Sequence, residues 1–419
     1  MINKFIDNKI ISITLFFLLY LSLLVGFFFN ENLNLGSYPD WIGTNYPAIK
    51  GFAFDFKKSF LNYDDYNHRH SPVYLIFLSF FYKLGLSSDF VRLIHLHISI
   101  LLFYFFYQCL KFKFQKINNN YLLVLSLVIF LSPTFRSLAI WPDSRIIGLL
   151  FFTISILHFL KFEKNQKIIN FWFCIIVLII SSYVSPNFSI FIIFYYFYFL
   201  KKVNLLNILS SLIFCVICTI PAFYYLFILD INFLIANTPA EDAGATALDF
   251  NLANKLMLIS SIILFHIIPF IFNINFYNEI KDFVKEKFIF LILFFLLNAY
   301  FFDYTLNFTG GGFFFQLSNI FFKNNFLFYI FSFLSIATIF YIGKKDLKNI
   351  ILFSIIILSN IQNTIYHKYY DPLILIIFFT ILNFESLKDF FKKKYSLYIV
   401  YLFYLVYVSL RLVKNTYLQ

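Results

Sequence analysis

The chain opens with an apolar run of about 20 residues, Ile10 to Phe29, and that pattern recurs to its end. Further runs lie at residues 90–110, 120–133, 145–160, 168–184, 186–200, 204–229, 255–274, 288–302, 325–342, 349–365, 372–384 and 395–412. A helix of roughly 20 such residues crosses the hydrocarbon core of a bilayer. Thirteen runs of this kind predict an all-α polytopic membrane protein. Composition agrees, with 61% apolar and 13% charged residues against about 45–50% and 25% in an ordinary soluble domain. Too few polar residues remain to cover a soluble surface of this size. A soluble enzyme, a nucleic-acid-binding domain and a disordered scaffold are excluded as readings of the whole chain. Lys4 and Lys9 precede the first run and no small-x-small cleavage pattern follows. That run reads as an uncleaved first span with the N-terminus inside.

The distribution of lysine tests the count, because cytoplasmic loops carry the excess of Lys and Arg. Alternation places six loops inside. They hold Lys111/Lys113/Lys116, Lys161/Lys164/Lys167, Lys201/Lys202, Lys281/Lys285/Lys287, Lys344/Lys345/Lys348 and Lys388/Lys392/Lys393/Lys394. The intervening stretch 230–254 has Asp230, Glu241, Asp242 and Asp249 and no Lys or Arg. The net charge of +12 therefore reads as membrane topology and not as nucleic-acid binding. Ser71 to Leu84 is apolar but too short to cross, and counting it would invert every later loop. It reads as an interfacial helix on the outer surface, with Pro72 in its first turn. The four cysteines (Cys109, Cys174, Cys215, Cys218) fall inside spans, which argues against a disulfide framework or a thiolate metal site. The chain reads as one integral-membrane domain, residues 1–419, with segment 30–92 carrying the candidate active site.

Chemistry concentrates in the first long outer loop, residues 30–70. It collects Asp40, Asp55, Asp64 and Asp65 with Lys50, Lys57, Lys58, His68, Arg69 and His70. A carboxylate there can abstract a proton, and cations at headgroup level can neutralise a phosphate. A solvated loop whose charges do nothing is the other reading. The second outer loop, residues 134–145, reads TFRSLAIWPDSR. Asp143 and Arg145 stand where the next helix begins, so Asp143 either caps that helix or faces a shared cavity with Arg145. A third segment, residues 366–372, reads YHKYYDP. It is either an aromatic belt with a snorkelling Lys368 or a third wall of the cavity, contributed through Tyr370. Gly310–Gly311–Gly312 lacks the context of a phosphate loop and reads as flexible. His95 and His97 read as interfacial side chains.

These residues resemble a known family. An acid soon after the first span (Asp40), a long loop, then His70-Ser71-Pro72-Val73-Tyr74 opening a short helix, with Arg92 at the start of the second span, is similar to the GT-C membrane glycosyltransferases. Protein O-mannosyltransferases and lipid A aminoarabinose transferases are members. SPTFRSLAIWPDSR resembles their second outer loop, and HKYYDPL a segment near the end of their membrane part. The likeness runs over roughly residues 9–200 and is thin afterwards. Trp41 follows Asp40 where the family often has Glu, and Ser71 stands where it usually has Pro. The resemblance implies a GT-C-like bundle of about 13 transmembrane helices with a juxtamembrane helix after the first long loop. It implies transfer of a sugar from a polyprenyl-phosphate donor to a hydroxyl or amine of a lipid or glycan acceptor, with inversion. Asp40 and Asp143 would be catalytic, with Asp55 in reserve for Asp40. Arg69, His70, Arg145, Lys58 and Tyr370 would bind substrate. No cofactor or metal ligand set is implied, and a divalent cation is left open. The expected place is the inner (plasma) membrane of a bacterium, with the site on the outer face. A lipid-linked-sugar flippase or transporter, or an oligosaccharide polymerase or ligase, are the alternatives. A transporter would carry charged or broken helices near the midplane, and a polymerase a large outer loop late in the chain.

Topology is directly testable. A cysteine placed at position 50 should react with an impermeant thiol reagent from outside the cell, and one at position 201 should not. The reverse pattern overturns the topology.

Overall fold

The computed structural model describes residues 9–34, 36–67, 70–231, 250–271, 274–305, 310–384, 386–393 and 395–417. The regular elements of these residues are all helices. They gather into two compact units. Unit 1 is Met1–Asn237 with Tyr401–Gln419, and unit 2 is Thr238–Val400.

Unit 1 begins with α1 (Lys9–Phe28), an apolar helix in which only Ser12, Leu23, Gly26 and Phe27 are buried. The segment expected as a polar loop is largely helical. It holds α2 (Ser37–Asp40), a π-helical turn (Trp41–Asn45), α3 (Tyr46–Phe54), α4 (Phe56–Leu61) and a 3₁₀ turn (Tyr63–Tyr66). Asp55 takes an extended conformation between α3 and α4, and its side chain caps α4 by accepting from the Lys58 amide at 3.0 Å. Gly51 lets α3 and α4 meet, since a Cβ there would lie 2.6 Å from Ser59 Oγ. α5 (Val73–Lys83) starts after Pro72, as the sequence implies, and ends at Gly85 with φ +88°. Its 11 residues reach only about 16 Å, too short to cross a bilayer. α6 (Ser88–Lys113) follows, capped by Ser87.

Segment 134–145, expected as an outer loop, is instead mostly helix and wholly buried. α7 (Asn119–Leu127) runs through a 3₁₀ turn to Leu131, and α8 (Pro133–Ile140) leaves it at 68°. The cause lies in Ser132-Pro133. Pro133 has no N–H to continue the first helix, while Ser132 Oγ accepts from the Phe135 amide at 3.0 Å and starts the second. Residues 124–150 are buried without exception. Unit 1 continues with α9 (Ser144–Asn165), α10 (Ile168–Val184), α11 (Ile192–Phe199) and α12 (Leu205–Phe223). α9 and α10 pack closely because small residues line their contact. Ser181 Oγ donates to the Gly148 carbonyl at 2.7 Å, and a Cβ on Gly148 would lie 2.5 Å from that of Ser185.

One ion pair fastens α8 to the end of α1. Arg136 holds Glu31 with both prongs, Nε to Oε1 at 2.6 Å and Nη2 to Oε2 at 2.7 Å. Its remaining donors go to Ser22 Oγ at 2.8 Å and to the Ser22 carbonyl at 3.0 Å. Gly26 makes room, for a Cβ there would stand 2.7 Å from Glu31 Oε2.

Unit 2 contains α13 (Leu252–Ile271), α14 (Ile274–Glu286), α15 (Phe288–Tyr300), α16 (Gly312–Phe322), α17 (Phe326–Gly343), α18 (Leu347–Leu358), α19 (Leu373–Phe379) and α20 (Ser386–Lys392). α21 (Ser396–Tyr417) begins here, and from Tyr401 onward it belongs to unit 1. There Tyr401 bonds the Val124 carbonyl and Asn415 the Asn32 carbonyl. α14 occupies an expected inner loop. Its apolar residues Phe276, Ile280, Phe283 and Val284 recur at helical spacing, a signal present in the sequence. Gly310, Gly311 and Gly312 form a defined turn and not a loose one. Their φ angles are +153°, +79° and +77°, the region that favours glycine, and the Gly311 amide bonds the Ile365 carbonyl at 2.9 Å.

Among the described residues, seven helices are long and apolar enough to cross a membrane, or eight if the bent α7–α8 pair is one span. The five remaining runs of the sequence count, at 168–184, 186–200, 288–302, 349–365 and 372–384, fold as shorter helices.

The ion pair sets a test. Arg136→Ala strands the Glu31 carboxylate in a largely buried place and should lower stability by about 3–5 kcal/mol, read from the denaturant midpoint of the full-length protein. Glu31→Gln combined with Arg136→Met should recover most of the loss.

Candidate functional site

The site assembles where the segment after α1 lies on α8 and the start of α9, all within unit 1. Leu33 and Asn34 donate their amides to Ser137 Oγ at 2.8 and 3.1 Å. Trp141 Nε1 donates to the Glu31 carbonyl at 2.9 Å, and its ring meets Tyr38 edge-on at 4.8 Å. Arg92 lies over Trp141, with Cζ 3.7 Å from the ring centroid, and bonds Asp89, Asn30 and the Ile140 carbonyl. Its guanidinium is used up in holding these segments together. Behind it, His95 is fully buried and not interfacial. Its Nε2 stands 2.7 Å from the Leu138 carbonyl, which only accepts, so Nε2 carries the proton and Nδ1 accepts from Tyr74 at 2.6 Å. Burial, and then the charge of Asp143, push the Tyr74 phenol well above its ordinary range, so it stays a neutral donor.

Asp40 ends α2 and is half-buried. The π turn beginning at Trp41 carries one residue more than an α-turn, closed by the Tyr46 amide bonding the Trp41 carbonyl. Such turns recur at functional sites. This one aims Asn45 across to the second segment. Asn45 Nδ2 donates to the Pro142 carbonyl at 2.7 Å, and Thr44 Oγ1 bridges the Asp40 carbonyl at 2.7 Å and Asn45 Oδ1 at 3.1 Å. Asp40 is thereby tied, through Thr44, Asn45 and Pro142, to Asp143.

Asp143 is 4% exposed and caps α9, its Oδ1 accepting from the Arg145 amide at 2.7 Å. The capping reading of Asp143 therefore holds, at a place that also faces the site. The Arg145 guanidinium reaches His70, with Nη2 3.3 Å from Nε2. Arginine only donates, so in this contact His70 accepts at Nε2 and carries its proton on Nδ1. Tyr63 fixes the His70 backbone by donating to its carbonyl at 2.8 Å, and burial raises its phenol well above the ordinary range.

The structure thus brings together His70, Asp143 and Arg145, and the Asp40 backbone is linked to that segment through Thr44 and Asn45. Lys58 is exposed on α4, and Asp55 is a helix cap. Arg69 and His68 lie outside the described residues. Tyr370 is a buried residue of unit 2, beside Asn360, and burial raises its phenol. Two polar contacts in unit 2 involve buried ionisable groups of one helix, α13. The Lys255 ammonium donates to the Asn360 carbonyl, and His266 and His367 meet Nε2 to Nε2 at 3.1 Å. Glu31, Asn45 and Tyr63 were silent in the sequence, because each acts on a partner made adjacent only by the fold. Among the described residues no three His, Cys, Asp or Glu side chains form a group able to hold a metal ion.

No family model matches this chain, and neither a curated protein nor a solved structure does. Architecture alone defines the class, an integral membrane protein whose described elements are all helical.

The Asn45 link is testable. Asn45→Ala removes the partner of a buried carbonyl and should cost about 1–3 kcal/mol in the same denaturant titration. An unchanged midpoint would show that Asn45 does not hold the two segments together.

Proposed function

We propose that the chain is a GT-C-type membrane glycosyltransferase, moving a sugar from a polyprenyl-phosphate donor to an acceptor hydroxyl or amine at the outer face of a bacterial plasma membrane. The observation that carries this reading is the 3.3 Å contact of Arg145 with His70. Residues 75 positions apart put a guanidinium and an imidazole together at the start of α9, beside the Asp143 carboxylate that caps it. The carboxylates of Asp40 and Asp143 belong to the same pair of segments.

The chemistry follows from these roles. The Asp40 carboxylate takes the proton of the acceptor hydroxyl. The acceptor oxygen bonds the anomeric carbon from the face opposite the phosphate. The carbon–oxygen bond to the phosphate breaks, its electron pair leaves with the polyprenyl phosphate, and the anomeric centre inverts. Arg145, with Arg69 from the same motif, balances the charge that develops on the phosphate, and His70 adds a hydrogen-bond donor at Nδ1. Asp143 holds the start of α9 and so the direction of Arg145.

A transporter of lipid-linked sugar is the second reading, and one observation favours it. Lys255 and His266 are buried in α13, a candidate span, and ionisable groups at membrane depth often mark a transport path.

The purified protein should release polyprenyl phosphate from at least one member of a panel of polyprenyl-phosphate sugars. Asp40→Asn should slow release by about 10²–10⁴. Arg145→Lys loses the planar fork and should weaken donor use about tenfold, as should Arg145→Ala. If both Arg145 variants match wild type while Asp40→Asn is inactive, the phosphate assignment falls and the catalytic one stands. No release from any donor, with sugar-lipid movement that Lys255→Met abolishes, would replace the enzyme reading by the transporter.

A further inference from the structure

α6 and α9 both start at the candidate site, where Arg92 and Arg145 stand, and both end in lysines. Between these ends lies a pocket of about 440 Å³ that the proposed reaction does not use. Tyr104, Gln108 and Lys111 line it from one face of α6, at the i, i+4, i+7 spacing, Gln115 lines it from the turn just beyond, and Leu157 and Lys161 line it from α9. The lining is mixed. Tyr104, Phe105, Phe112 and Leu157 are its apolar part and Gln108, Lys111, Gln115 and Lys161 its polar part, with Tyr104 and Leu157 farthest from the lysine ends of the two helices.

Its charge is not balanced from within. Among the described residues, no hydrogen bond or ion pair joins Lys111 or Lys161 to an acid. The nearby Glu163 acts on Lys113. A third cation, Lys164, lies over the ring of Phe112, which also lines the pocket. Lysine is favoured at a helix C-terminus for its own sake, and Gln115 Nε2 donates to the Phe112 carbonyl at 3.3 Å, but neither fact accounts for the pocket or for Gln108 on its lining. Both helices are candidate membrane spans, so the pocket opens at the level where headgroups lie.

We infer that this pocket binds an anionic phospholipid of the inner leaflet, the phosphate between Lys111 and Lys161 with Gln108 and Gln115 as further donors, and an acyl chain along Tyr104 and Leu157. Basic pockets between spans at the cytoplasmic side suit such lipids. Arg145 and Lys161 are 16 residues apart on α9, about 24 Å along its axis. The lipid site is therefore separate from the proposed sugar-transfer site and stands whether or not that reading holds.

The test uses the full-length protein in mild detergent, titrated with phosphatidylglycerol or phosphatidylcholine, with bound lipid counted by native mass spectrometry. Wild type should prefer phosphatidylglycerol. Lys111→Gln/Lys161→Gln should lose about tenfold to thirtyfold in phosphatidylglycerol affinity, while Lys201→Gln/Lys202→Gln, with the same change of charge, should lose none. Equal losses in both pairs would reduce the effect to diffuse attraction and overturn the site. Displacement of phosphatidylglycerol by millimolar inorganic phosphate would overturn the lipid in favour of a free anion. Should the double variant elute aggregated, Gln108→Leu, which keeps the charge, must weaken phosphatidylglycerol about threefold, and its failure to do so overturns the assignment equally.

Discussion

The two-pronged bond between Arg136 and Glu31 is the constraint on which the rest of unit 1 depends. Neither group is at home away from water, and burying either alone is costly; here the Arg136 side chain is 7% exposed and that of Glu31 16%. Together, with Ser22 accepting the remaining donors, they form a joint whose parts cannot separate without exposing a charge to an apolar surround. That joint sets α8 against the end of α1. Once α8 is placed, Ser137 receives the amides of Leu33 and Asn34, Trp141 closes on Tyr38, and Arg92 fills the gap behind Trp141. The site is a consequence of this stacking, since His70 and Arg145 meet only because the segments bearing them are pressed together.

Much of the architecture was legible in the sequence. Runs such as Ile10 to Phe29 and 204–229 read as long apolar helices because lipid-compatible side chains leave a long run little else to be. The start of α5 after Pro72 and the cap at Asp143 were visible for equally local reasons. Segment 134–145 was not, since its polar letters, Thr134, Arg136 and Ser137, suggest water until their partners are known. Arg136 reads as a loop cation unless Glu31, 105 residues earlier, is already in place. The polar stretch after α1 hid its helices in the same way. Asp55 looks like a reserve base in the sequence and is a cap in the structure, because the difference between the two lies in one backbone turn. The approach of His70 to Arg145 was anticipated from the motifs, and the role of Asn45 was not, because an amide bonding a distant carbonyl leaves no pattern along the chain.

The parallel course of α6 and α9 gives unit 1 a polarity. The chain leaves the candidate site along α6, turns at the lysine end, and comes back through the bent α7–α8 path before leaving again along α9. The return path is the one element of the three that is broken, and the break delivers Ser137, Trp141 and Arg136 to the site side by side.

The π turn at Trp41–Asn45 makes the separation between Asp40 and α3 a matter of counting. Its extra residue is a phase shift between two otherwise ordinary helices. Remove one residue and the turn can relax to α-helix, rotating α2 against α3 by about 100°. Asp40 would then face another direction while Asn45 kept its hold on Pro142. Substitution can change what Asp40 is, but only a change of length can alter where it points. In this stretch, insertions and deletions should be far less tolerated than exchanges of one side chain for another.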